Sequence, residues 1–85
     1  MELNGKVLKV TEDEVISDKL TKRLLIVEYA ENPQYPETIS FEAVNTKTAL
    51  LDNLSIGQDV KVHFNLRGRE YNGKYYNTLS LWKVE

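Results

Sequence analysis

Asn45-Thr46-Lys47-Thr48-Ala49-Leu50-Leu51-Asp52-Asn53-Leu54-Ser55-Ile56-Gly57 is the stretch in which the periodicity of the chain changes. On either side of it the apolar residues alternate as in half-buried strands. Before it, Thr38 to Val44 sends Ile39, Phe41 and Ala43 one way and Ser40 and Glu42 the other. After it, Gln58 to Arg69 sets Val60, Val62, Phe64 and Leu66 against Lys61, His63, Asn65 and Arg67. Inside it, Leu50 and Leu54 stand four apart, which is the spacing of one helix face. Asn45 or Thr46 can cap such a helix, and Asn53 or Gly57 can end it, Gly57 through a left-handed turn. A helix this short is unstable alone, so its leucines must rest on a sheet.

Outward from that segment the chain reads as strands and turns. Glu2 to Ile16 is rich in β-branched residues but irregular, which predicts a long, bent first strand with a bulge at Gly5 or at Val7–Leu8. The acidic cluster Glu12-Asp13-Glu14 suits a solvated turn or strand edge. Lys19 to Tyr29 is a second strand, whose run Leu24-Leu25-Ile26-Val27 expects partial cover on both faces. Ala30 to Pro36 is a loop, marked by two prolines that cannot donate to a ladder. Asn72-Gly73 predicts a tight hairpin between the fourth strand and a fifth, Lys74 to Val84. The order β-β-β-α-β-β is that of an all-β, five-stranded OB-fold barrel with one short helix; a β-sandwich would have no need of the helix. With no linker, repeat or low-complexity tract, residues 1–85 form one domain.

Composition excludes several classes of function. At 41% hydrophobic and 28% charged, the chain has the balance of a globular domain. It holds no cysteine, so neither a disulfide framework nor a thiolate metal site is available. No apolar run has the length of a signal peptide or a membrane span, so a soluble, cytoplasmic protein without a membrane partner is expected. Catalysis lacks parts. The single histidine, His63, sits in a strand opposite the apolar set, and Ser17, Ser40, Ser55 and Ser80 have no nucleophile-elbow context. No ligand spacing suggests a metal and no Gly-rich loop follows a strand, so no catalytic residue and no cofactor are expected.

The formal net charge of −2 argues by itself against a nucleic-acid ligand, but the charge is polarised. Residues 1–45 carry five Lys/Arg against nine acids, whereas residues 61–84 carry five basic residues against Glu70 alone. Local sign matters more than the total when a phosphate backbone approaches one face. Arg67-Gly68-Arg69-Glu70-Tyr71-Asn72-Gly73-Lys74-Tyr75-Tyr76 mixes cations with aromatic rings, as a single-stranded nucleic acid requires: cations to replace counterions, rings on which bases stack. In OB folds the loop joining the last two strands lies on the ligand path. The same residues have a plainer reading, because tyrosines stabilise hairpins and exposed Arg and Lys guard sheet edges. Tyr75 and Tyr76 point to opposite faces, so one of them at most stacks on a ligand. The candidate contacts are Lys22, Arg23, Tyr35, Lys61, Arg67, Arg69, Tyr71, Lys74 and Tyr76. Tyr35 fits equally as a ligand-facing ring or a loop anchor. Phe41 and Phe64 belong to the core, and Trp82 to the core or an oligomer interface.

Gly57-Gln58-Asp59-Val60, Arg69-Glu70-Tyr71-Asn72-Gly73-Lys74-Tyr75-Tyr76 and Leu81-Trp82-Lys83-Val84-Glu85 together resemble a bacterial family of small OB-fold proteins of unknown function, as does the opening Met1-Glu2-Leu3-Asn4-Gly5-Lys6-Val7. More distantly, Leu66-Arg67 and Lys74-Tyr75-Tyr76-Asn77-Thr78 are similar to the equivalent hairpin of bacterial single-stranded DNA-binding proteins. The resemblance implies an OB fold and, by extension, non-specific single-stranded DNA binding through the hairpin of strands four and five and the face of strands two and three. A homo-oligomer, dimer or tetramer, is expected. The competing reading is a protein-interaction or assembly module without a nucleic-acid role, which the acidic N-terminal half favours. The binding reading needs Arg67, Arg69, Tyr71 and Lys22 to share one concave face; a monomer that binds oligonucleotide would count against the assembly reading.

Overall fold

The computed structural model describes residues 1–85. Six strands, β1 (Glu2–Val10), β2 (Glu14–Ser17), β3 (Leu20–Tyr29), β4 (Glu37–Val44), β5 (Asp59–Tyr71) and β6 (Lys74–Val84), are joined by turns, with a 3-10 helix at Asn45–Leu51. They lie in one sheet ordered β1-β5-β6-β4-β3-β2, and β1 also pairs with β3, which closes the barrel. Every pairing is antiparallel except that of β4 with β6, which meet in parallel at Glu42 and Ser80. Five strands make the closed circuit and β2 is an edge addition to β3. This is the OB fold that the strand order predicts.

β1 serves two partners because it bends. Glu2–Lys6 pairs with β5, then Lys6–Val10 pairs with β3 after a register shift between Val7 and Lys9. Gly5 permits the crossing, since a Cβ there would lie 2.6 Å from the Glu28 carbonyl oxygen and would also strike Val27. The two expected bulge positions therefore divide the work: the close approach is at Gly5, the bulge at Leu8.

Two expectations need correction. The long first strand is broken, because Thr11 replaces a backbone acceptor with its side chain. Its N–H donates to Leu24 O at 3.0 Å, and Leu24 N–H donates to Thr11 Oγ1 at 2.8 Å. The ladder stops there and resumes as β2. The helix, for its part, is a 3-10 turn ending at Leu51 and not an α-helix through Leu54. In a 3-10 turn residues three apart eclipse, so Leu51 is buried and Leu54 packs beside it, while Leu50 is 39% exposed. Asn45 and Thr46 do not cap it. Asn45 takes a positive φ of 51° and its Oδ1 accepts from Thr21 N–H at 3.0 Å.

The core is ten residues, Val7, Leu25, Val27, Phe41, Ala43, Leu51, Val60, Val62, Phe64 and Leu81. Phe41 and Phe64 tilt against each other at 5.1 Å. Trp82 stands outside it, 43% exposed where β6 shifts register against β5, with its ring 5.2 Å from that of His63. His63 is largely covered, between the carboxylates of Glu2 at 3.4 Å and Glu85 at 3.3 Å.

Candidate nucleic-acid interface

β5 and β6 are longer than the barrel needs. β1 leaves β5 at His63, and β4 touches β6 only at Ser80, so the hairpin beyond these points has two free edges. From Asn65 to Tyr71 and from Lys74 to Asn77 every residue is exposed. At the tip, Asn72 and Gly73 have φ of 51° and 77°, as a type I′ turn requires. Such a turn matches the right-handed twist of the strands and lets the arm project without fraying.

The register decides which side chains meet. Arg67 lies opposite Thr78, Arg69 opposite Tyr76 and Tyr71 opposite Lys74. These alternate pairs share one face of the arm, and Glu70 opposite Tyr75 occupies the other. Arg69 places its guanidinium 5.7 Å from the centre of the Tyr76 ring, so cation and aromatic face form one surface. Tyr76 is 44% exposed against 76% for Tyr75, so Tyr76 is on the sheltered side. Arg67, Arg69 and Lys74 form no ion pair within the chain.

The sheltered side is one wall of an open groove of about 920 Å³. Arg67, Arg69, Tyr76, Thr78 and Ser80 line it from the arm, Tyr75 borders it as well although it belongs to the other phase of β6, and Leu20, Lys22, Glu42 and Val44 line it from β3 and β4. Lys22 and Glu42 face each other on its floor at 3.7 Å, both half-buried. A smaller continuation, sharing Lys22, Glu42 and Thr78 with the groove, runs between β4 and β6 past Ser40, Thr38 and Asn77. An unpaired cationic wall, a ring on the same face and a polar floor are what a single strand of nucleic acid needs for phosphate neutralisation, stacking and edge contacts. No three His, Cys, Asp or Glu side chains converge to hold a metal ion.

Six of the nine residues named from the sequence are brought to this side: Lys22, Arg67, Arg69, Tyr71, Lys74 and Tyr76. Three are not. Arg23, its side chain 18% exposed, is a structural clamp: Nε donates to Thr11 O at 2.8 Å, and Nη1 reaches Asp52 Oδ1 at 2.6 Å and Thr48 O at 3.2 Å. Three of its five N–H donors tie the β1–β2 corner to the 3-10 helix and Asp52, whose carboxylate balances its charge. Lys61 pairs with Glu2 at 3.9 Å, six residues and about 20 Å of strand from Arg67. Tyr35 is 70% exposed in the 30–36 loop and forms no part of the groove wall, so it is neither anchor nor wall. Glu42, Thr78 and Ser80 join the site without a signal in the sequence. Their outward phase is visible in the alternation, but the parallel β4–β6 contact that makes them neighbours leaves no local mark.

The fold has a solved counterpart. The dimeric structure of the N-terminal domain of the PriB protein from Thermoanaerobacter tencongensis superposes with a TM-score of 0.71 at 23% identity, covering 100% of this chain and 91% of that one. No curated protein matches the chain. A family model matches residues 2–85, nearly the whole barrel and the entire arm, and by that match the chain belongs to the family described as domain of unknown function DUF3127.

Proposed function

We propose that this domain binds single-stranded nucleic acid, DNA in the first instance, non-specifically along the groove between the β5–β6 arm and β3–β4. One observation carries the reading: Arg67, Arg69 and Tyr76 line one groove wall with no intramolecular ion pair to satisfy the cations. A protein surface that leaves guanidinium groups unpaired beside an aromatic ring is suited to a polyanion with flat bases. The domain acts without catalysis or cofactor, in the cytoplasm. The dimeric form of the structural neighbour supports a homo-oligomer here as well. Fluorescence anisotropy with labelled oligo-dT tests the proposal. Binding is expected at low salt and falls steeply as salt rises. Replacing both Arg67 and Arg69 with Ala is expected to reduce the slope of log affinity against log salt by about 1.4, roughly 0.7 for each phosphate that a single strand no longer has neutralised. No binding at low salt overturns the proposal.

The assembly-module reading has its own observation. β2 is a wholly exposed edge strand, with Val15 at 73% and Ile16 at 50% exposure. Light scattering of the isolated protein measures that separately from oligonucleotide binding.

A further inference from the structure

The groove holds one feature that phosphate binding does not explain. Glu42 places a carboxylate on the floor, opposite the arginines, where it repels a phosphate backbone. It is also only 25% exposed, so its interactions there are less screened than at an open surface. Its partner Lys22 is neutralised at 3.7 Å and adds little net positive charge to the floor. The attraction for phosphate therefore lies on the arm, with Arg67 and Arg69. A strand lying in the groove runs its backbone along the arm, stacks a base on Tyr76 and turns base edges toward Lys22 and Glu42.

We infer that the Lys22–Glu42 pair selects guanine at one position of the bound strand, an inference that rests on the nucleic-acid reading above. The chemistry is one of matching donors to acceptors. A carboxylate accepts only, and its two oxygens are best satisfied by two adjacent N–H donors. Guanine alone among the four DNA bases offers that pair, N1–H and an N2–H, on its Watson–Crick edge, with the O6 acceptor alongside for the Lys22 ammonium. Cytosine and adenine offer one amino donor to the carboxylate, and thymine one ring N–H flanked by two carbonyl oxygens that it repels. A bound guanine replaces the Lys22–Glu42 contact with three charge-assisted hydrogen bonds, and the other bases leave one carboxylate oxygen unmatched in a sheltered site.

The test compares two labelled probes by fluorescence anisotropy: oligo-dT, and the same oligonucleotide with a single central guanine, which cannot form a quadruplex within one strand. The wild type is expected to bind the guanine probe about tenfold more tightly, in the range of one good bidentate base contact. In Glu42→Gln the preference falls to within about twofold, because the amide presents one acceptor and one donor, and oligo-dT binds somewhat more tightly as a negative charge leaves the groove. Lys22→Met loses part of the preference and retains the carboxylate's share. Thermal melts of each variant establish that it is folded. Equal affinity of the wild type for the two probes, or a preference that survives Glu42→Gln, overturns the inference while leaving oligo-dT binding intact. Failure of both probes to bind at low salt overturns the functional reading with it.

Discussion

The β5–β6 hairpin is two structures on one pair of strands. In its barrel half, Val60, Val62, Phe64 and Leu81 are buried, and β5 has partners on both sides. In its distal half the inward phase runs on through Leu66 to Gly68 and Glu70, Leu66 is 57% and Tyr75 76% exposed, and the free edges face solvent. Apart from the register shift at Trp82 the two strands pair continuously from Val62 to Tyr71, and what chiefly differs is what covers them. An apolar residue in phase is core where a barrel lies beneath it and surface where the strand has outrun the barrel. Stability should therefore reside in the first half and binding in the second.

The largest effect that can break this division is Phe64→Ala. It removes a ring packed on Phe41 in a core of only ten residues and is expected to cost about 3–5 kcal/mol, measured by urea denaturation. A small loss there would mean the barrel half is not where stability lies. Arg23→Ala comes next. It strips the β1–β2 corner of bonds to Thr11, Thr48 and Asp52 and should cost about 1–3 kcal/mol, with oligo-dT affinity unchanged in the folded protein. In the arm, Arg67→Ala with Arg69→Ala should leave stability within about 0.5 kcal/mol while weakening oligonucleotide binding. A large fall in the denaturation midpoint would show that the arm serves the fold. The smallest effect concerns pH at the barrel end of the hairpin. The Lys83 ammonium, 2.9 Å away, and then the His63 imidazole hold the Glu85 carboxyl below the ordinary glutamate range. A lowered folded pKa contributes stability above the ordinary value and loses it as pH falls through the lowered one. Glu85→Gln should accordingly destabilise slightly at neutral pH and not in strong acid, read from urea midpoints at both.

The same contrast explains what is legible in the sequence. Alternation in Thr38–Val44 and Gln58–Arg69, with Asn72-Gly73 between the last strands, marks most of the barrel, because those signals are local. The place where β1 breaks is hidden, since it depends on the Thr11 hydroxyl reaching Leu24, which is distant in sequence. Leu50 looks like the inward residue only if the spacing is four, as in an α-helix; the tight connection imposes three and turns Leu51 inward instead. At the site, the arm residues stand out by their density, but Arg23 and Lys61 look as available as Arg67. Nothing in a basic residue's own neighbourhood reveals a carboxylate brought in by tertiary pairing, such as Asp52 or Glu2. Glu42 is invisible for the complementary reason, that its groove exists only once β4 and β6 meet.

The pairing of the first and last strands, β1 and β6, with β5 has a use in engineering. Glu2 lies beside His63 and Val84 beside Val62, so the two ends of the barrel flank β5 on its two sides. Two strand spacings, about 10 Å, separate them, and a linker of roughly four residues spans that gap. The domain can thus be circularly permuted, these ends joined and new ones opened between Asn72 and Gly73. Such a permutant keeps the barrel's pairing and turns the arm into two chain ends, so groove and scaffold become separable parts of a single molecule.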